Sequence, residues 1–243
     1  MNIGILGVGE VGGAIKKIAG ENHIVFTANR KNDSIKGNKI DVLHICIPYN
    51  GDFIKNVIKA IKDYIPTLTI IDSTVPLGTT YKIYNKTKAL ICHSPIRGIH
   101  PNLYQGIKTF VKYVGPTSVE AGKMAKKYYQ DLGIKTQLFK DSKTTEISKL
   151  MDTTYYGWNI IFQKEMYKIC NENNIPFEEA YTKWNETYNR GYKKLKMPHV
   201  VRPVLKNYSG KIGGHCVISN CQILEKTLTN PISKIILKQN ETY

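Results

Sequence analysis

"NIGILGVGEVGGAIKKIAG", residues 2–20, carries three signals in succession. Its start alternates in apolar, β-branched residues (Ile3, Ile5) and reads as a strand. Gly7-Val8-Gly9-Glu10-Val11-Gly12 follows as a GxGxxG, and Val11, Ile15 and Ile18 open an amphipathic helix. In a strand–turn–helix context the first glycine allows the turn. The second lets a pyrophosphate approach the backbone, and the third lets the helix pack on the sheet. A pyrophosphate then sits on the helix N-terminus, where free N–H groups and the helix dipole favour an anion. The stretch predicts a dinucleotide-binding turn at residues 7–12 and, with it, the first βα unit of a Rossmann-type sheet.

Working outward, "HIVFTANR" and "DVLHICIP" read as further strands, joined by a link too short for a full crossover helix. "GDFIKNVIKAIKDYI" has helical spacing and ends at Pro66. "LTIIDSTV", "ALICHSP", "FVKYVG" and "TQLF" are strands, with a helix near 118–132. Strands alternating with helices predict an α/β fold with a doubly wound parallel sheet. After about residue 141 the pattern becomes one long helix, then a second helix with Pro176 near its first turn. A glycine loop around Cys216 and two helices, "CQILEKTL" and "PISKIILKQ", complete the chain. The expected organisation is a dinucleotide-binding domain at 1–141 and an all-helical domain for substrate and dimerisation at 142–243.

The end of the second strand bears on which dinucleotide is held. Rossmann NAD sites usually place Asp or Glu there, on the ribose hydroxyls. Here the strand runs into Ala28-Asn29-Arg30-Lys31. Arg30 is suited to grip a 2′-phosphate, and Asn29 still bonds the ribose, so NADP is favoured. The alternative is NAD, with Arg30 stacked on the adenine.

Lys and Arg number 35 against 19 Asp and Glu, a net charge of +16. The excess divides as +7 over residues 1–120 and +9 over 121–243, so it is not a single tail. It suits an anionic ligand, and weak nucleic-acid binding has the same signature; a compositional bias toward lysine accounts for it equally well. From Thr187 to Leu224 the chain has seven basic residues and no acidic one. The five cysteines are scattered and form no CxxC, which predicts reduced thiols and no metal. No run of 18 apolar residues occurs and the N-terminus lacks signal-peptide features, so a cytoplasmic protein without a membrane span is expected.

Six segments, in order, resemble the UDP-glucose/GDP-mannose dehydrogenase family: "GILGVGEVG", "VLHICIPYN", "IDSTVPLGTT", "HSPIRG", "EISKLMDTTYYGWNIIFQKEMYKIC" and "GKIGGHCVISN". They extend over nearly all of the chain. The family's C-terminal nucleotide-sugar-binding domain has no counterpart here, so the resemblance implies a form reduced to its first two domains. It also implies a primary alcohol oxidised through an aldehyde to an acid, with a loop cysteine forming a thiohemiacetal and then a thioester. Cys216 matches that cysteine, Lys149 the lysine that stabilises the oxyanion, and Thr74 the threonine near the reacting carbon. Pro48, Ser73 and Thr74 fall in segments that line the family's cofactor site. The glutamate linked to deacylation is replaced by Ile96, and a second carboxylate of that loop by His100. Thr153 stands for the family asparagine and Asn220 for the aspartate that follows the cysteine. The nucleophile and its oxyanion partner are kept while the carboxylates for water attack are not. In that family the long helix builds a homodimer, which the aromatics of "TTYYGWNIIF" make the expected assembly here.

Remaining polar candidates for substrate contact are Arg97, His100, Thr153, His215 and Asn220. Arg97 is suited to a carboxylate or phosphate, or to holding its own loop by bonding carbonyls. The favoured reading is an NAD(P)-dependent oxidoreductase of an anionic, phosphorylated or nucleotide-linked alcohol. One alternative is a two-electron hydroxyacid-type dehydrogenase that needs Lys149 and not Cys216. Another is a non-catalytic dinucleotide-binding or nucleic-acid-associated protein.

Overall fold

A computed structural model describes residues 1–98, 101–214 and 216–243. They form two compact units, Met1–Lys149 and Leu150–Tyr243.

The first unit is a seven-stranded sheet in the order β2-β1-β3-β4-β5-β6-β7. The strands are β1 (Asn2–Leu6), β2 (Ile24–Ala28), β3 (Val42–Ile45), β4 (Leu68–Ile71), β5 (Ile91–His93), β6 (Lys112–Pro116) and β7 (Thr136–Leu138). Neighbours from β2 through β5 are parallel, as are β6 and β7. The β5–β6 pair is antiparallel, which corrects the all-parallel expectation. The cause is local: the chain leaves β5 and re-enters at Lys112 on the same edge, beside Ser94, so β6 runs back.

Both faces of the sheet are covered. One carries α1 (Glu10–Ala19), α4 (Leu103–Thr109) and α5 (Val119–Asp131), packed on Ile3, Ile5 and Ile70. The other carries α2 (Phe53–Tyr64) and α3 (Thr79–Thr87) over Leu43, Ile45 and Ile71. No helix lies between β2 and β3; fully buried Ile35 and Ile40 from that link fill the layer instead. Helices α3 and α4 were not expected, since each is short and lacks a long apolar period.

Helix α6 (Ser142–Glu172) begins where Asp141 accepts the Thr144 N–H, and it crosses the division between the units. The division at 149/150 lies beyond the 141/142 boundary read from the sequence, because the helix starts inside the first unit. Gly115 of β6 lets it do so: a methyl group there would meet the Asp141 carbonyl at 2.5 Å and the Thr145 hydroxyl. Glu146 is fully buried and accepts the N–H groups of Gly78 (2.5 Å) and Thr80 (2.8 Å). It caps the start of α3, where no local side chain does.

The second unit holds the rest of α6, a π-helical turn (Glu178–Lys183), α7 (Trp184–Lys194), α8 (Cys216–Leu228) and α9 (Pro231–Asn240). The single helix expected after Pro176 thus begins as a wider turn, which accompanies the stacking of Phe177 on Tyr181 at 4.9 Å. Ile161, Ile212, Val217, Cys221 and Ile236 form its main core. Among the described residues no helix is long and apolar enough to cross a membrane.

Gly115→Ala is expected to lose about 1–3 kcal/mol by overpacking β6 against α6. A lower urea midpoint with an unchanged slope checks this.

Candidate functional site

The cradle after β1 is built from backbone. Gly7 has φ +94°, donates to the Ala28 carbonyl at 2.9 Å, and has no room for a side chain beside the Cys46 carbonyl. A methyl group on Gly12 would run into the Gly7 carbonyl, so α1 presses on the end of β1 only because position 12 is glycine. Gly9 is the reverse case: a Cβ there meets nothing within 4 Å. It is the N-cap of α1 and supplies no side-chain cap, with Glu10 exposed and Val11 packed inward. An open backbone face at an uncapped helix N-terminus fits a pyrophosphate. Strand order reverses between β2-β1 and β1-β3, so this turn sits at the switch point where α/β sheets bind ligands.

At the end of β2, Asn29 Oδ1 accepts the N–H groups of Lys31 (2.8 Å) and Asn32 (3.0 Å), which folds the following turn. Only its amide nitrogen is left for a ribose. The nearest carboxylate, Asp33, accepts from Ile35 N, Lys36 N and the Tyr64 hydroxyl. Arg30 and Lys31 are exposed beside this turn.

The carboxyl ends of β3, β4 and β5 supply the next wall. Pro48 is exposed after β3. Ser73 donates its hydroxyl to the Ile47 carbonyl at 2.6 Å, and Thr74 follows it half-buried. Fully buried His93 lies 3.2 Å from the Ser73 carbonyl through Nε2 and 2.8 Å from Thr145 Oγ1 through Nδ1. A carbonyl only accepts, so Nε2 carries the hydrogen. Burial pushes the His93 pKa down to about 3, and Lys149 adds to the shift. His93 is therefore a neutral strut between the Thr74 segment and α6, the helix that bears half-buried Lys149.

Beneath this edge lies a buried polar layer that the sequence reading did not pick out. His44 Nδ1 donates to Asp72 Oδ2 at 2.6 Å, and His44 Nε2 is paired with the Tyr128 hydroxyl at 2.9 Å. Lys112 Nζ donates to Asp72 Oδ1 at 3.0 Å. Burial alone would raise the Asp72 pKa; Lys112 and His44 outweigh it and hold the carboxyl below its ordinary value. The available signal was a single polar residue inside the apolar runs at His44 and Lys112, and a charged or imidazole side chain closing the apolar runs at Asp72 and His93.

Arg97 stacks on Tyr113 at 4.5 Å and donates to the Val111 carbonyl at 3.4 Å, which ties its loop to β6. His100 and His215 lie outside the described residues. Ile96, at the family's glutamate position, is packed in the apolar core.

In the second unit Cys216 is exposed in the first turn of α8. Asn220, one turn on and so on the same helix face, donates to Thr153 Oγ1 at 3.1 Å, with both side chains buried. Thr153 in turn stands one turn after Lys149 on α6. Arg190, Lys193, Lys194, Lys196, Arg202, Lys206 and Lys211 are all exposed. Among the described residues no group of three or more His, Cys, Asp or Glu is placed to hold a metal ion.

No protein-family model matches the chain. Individual relatives do. A UDP-N-acetyl-D-mannosamine dehydrogenase of Methanocaldococcus jannaschii is 30% identical over 225 residues, covering 85% of this chain and 50% of the relative. One from Methanococcus vannielii is 28% identical over 218 residues, covering 82% and 48%. The solved UDP-D-ManNAc dehydrogenase of Pyrococcus horikoshii superposes with a TM-score of 0.79 at 20% identity, over 99% of this chain and 68% of that one. The chain belongs to the nucleotide-sugar dehydrogenase family. It spans about half the length of the sequence relatives it matches. The family implies a nicotinamide dinucleotide cofactor, and the open backbone face at Gly9 is of the kind that fits a pyrophosphate.

Gly9→Ala is expected to leave the thermal midpoint unchanged and to weaken dinucleotide binding at least about tenfold. Calorimetric titration beside a melting curve separates the two effects.

Proposed function

We propose that this chain oxidises the primary alcohol of an anionic, nucleotide-linked sugar, with UDP-N-acetyl-D-mannosamine the first substrate to test. The observation that carries the reading is the Asn220–Thr153 hydrogen bond. It joins the turn of α8 that follows Cys216 to the turn of α6 that follows Lys149.

A nicotinamide ring, when bound, supplies the hydride acceptor. The chain's own residues do the rest. Thr74 orients the reacting carbon. The Lys149 ammonium stabilises the oxygen that bears the developing negative charge, and its neutral form takes the alcohol proton. Cys216 adds its sulfur to the aldehyde carbon, and its proton passes to the carbonyl oxygen to give a thiohemiacetal. The exposed basic residues from Arg190 to Lys211 attract the substrate's phosphates. Arg30 and Lys31 favour NADP over NAD, because the carboxylate nearest that turn is already engaged. Exposed Met151, Tyr155 and Tyr156 on α6 support a homodimer through that helix, which sedimentation equilibrium reads directly.

A second reading draws on Ile96 and Asn220. The first is packed in the core and the second donates to Thr153, so neither position offers a carboxylate to activate water. In that reading the reaction stops after two electrons and needs Lys149 alone.

Product analysis separates the readings. Lys149→Ala is expected to lower kcat by about 10²–10⁴-fold under either. Cys216→Ser is expected to abolish acid formation if the cysteine carries the second oxidation; unchanged turnover to the aldehyde selects the two-electron reading. Arg30→Ala is expected to weaken NADP about 10–100-fold with NAD unaffected. Equal losses for both dinucleotides would contradict the NADP preference.

A further inference from the structure

The buried layer under the carboxyl edge has a geometry that packing alone does not require. Lys112 enters from β6, and its ammonium has three N–H donors. All three are used: Asp72 Oδ1 at 3.0 Å, the Ser94 carbonyl at 2.6 Å and the Pro95 carbonyl at 3.4 Å. Both charged side chains are almost wholly buried. Asp72 spends its other oxygen on His44 of β3. One ion pair therefore reaches across the ends of β3, β4, β5 and β6.

What it joins is specific. Asp72 directly precedes Ser73 and Thr74 in the segment after β4. Ser94 and Pro95 begin the segment after β5 that leads to Arg97. Both segments carry candidate site residues, Ser73 and Thr74 in the one and Arg97 in the other. Burying two charges is costly, and well-packed apolar residues of similar size are often as stabilising. A buried pair of this kind contributes little net stability but allows few alternative geometries.

We propose that Asp72 and Lys112 are positioning residues: their ion pair sets the spacing between the Thr74 segment and the Ser94–Arg97 segment, and so controls turnover without contacting substrate or dinucleotide. The proposal builds on the functional reading above in giving Thr74 a place near the reacting carbon. Among the described residues the glycine turn after β1 makes no hydrogen bond to the pair, so the backbone of that turn is held separately.

Two variants test this. Asp72→Asn keeps the shape and removes the charge; the double variant Asp72→Leu with Lys112→Met removes both charges and leaves neither alone in the core. Both are expected to lower kcat about 10–100-fold with KM for the sugar within about threefold, and to weaken dinucleotide binding by a smaller factor than kcat, since Ser73 and Thr74 are only part of the cofactor site. Hydrogen exchange in the two segments (73–76 and 94–98) is expected to rise together by about tenfold, while that of β1–α1 does not change. Parent-like kcat and exchange in the double variant would overturn the proposal. So would a parallel loss of kcat and dinucleotide binding, the mark of general loosening. Should the parent chain oxidise no nucleotide sugar, the functional reading falls, and exchange in the two segments still decides whether the pair holds them.

Discussion

The contact between Gly12 and the Gly7 carbonyl is the constraint on which the rest of the first unit depends. It seats α1 directly on the end of β1, so the wall of the cradle is peptide backbone. A side chain at position 12 would lift the helix, and its N-terminal N–H groups would no longer be aimed across the switch point of the sheet. Gly9 faces open space only because the helix is seated. Close packing and ligand access are thus two results of one contact.

From that edge the architecture proceeds by struts. Ser73 is tied to the end of β3 and His93 ties the same segment to α6, while Glu146 fixes α3 to α6. The Glu146–Thr80 and His93–Thr145 bonds are buried and the others partly so, and an unmade polar bond costs most where burial is deepest. The outcome is an edge on which the segment before Thr74 and the turn of α6 before Lys149 are held by several independent contacts. Such over-determination suits chemistry that depends on placing reacting atoms closely.

Much of this was legible in the sequence. The glycine turn and the alternation of strands and helices are local patterns, and they gave the fold class. The basic end of β2 was also legible, though not that Asn29 would spend its carbonyl on its own turn. The direction of β6 was hidden, because an apolar run has the same period in either direction. The Thr153–Asn220 bond and the Asp72–Lys112 pair were hidden for a different reason. They join residues 67 and 40 positions apart, and nothing local in either partner names the other. For Lys112 the clue was compositional, a lone polar residue in an apolar run, and it marks an exception without saying what it meets.

In the second unit Cys216 opens α8 with Asn220 one turn behind it, and the basic residues between Arg190 and Lys211 are exposed. In the proposed reading, with Ile96 and Asn220 at the positions where the family pattern has carboxylates, hydride removal is the step that the retained residues serve. The most direct measurement follows the hydrogen itself, using UDP-N-acetyl-D-mannosamine deuterated at its primary carbinol carbon. NMR of the recovered dinucleotide should show deuterium at C4 of the nicotinamide, in proportion to sugar oxidised. Full dinucleotide binding with unlabelled nicotinamide and unchanged sugar, across a panel of nucleotide-linked alcohols, would contradict the account.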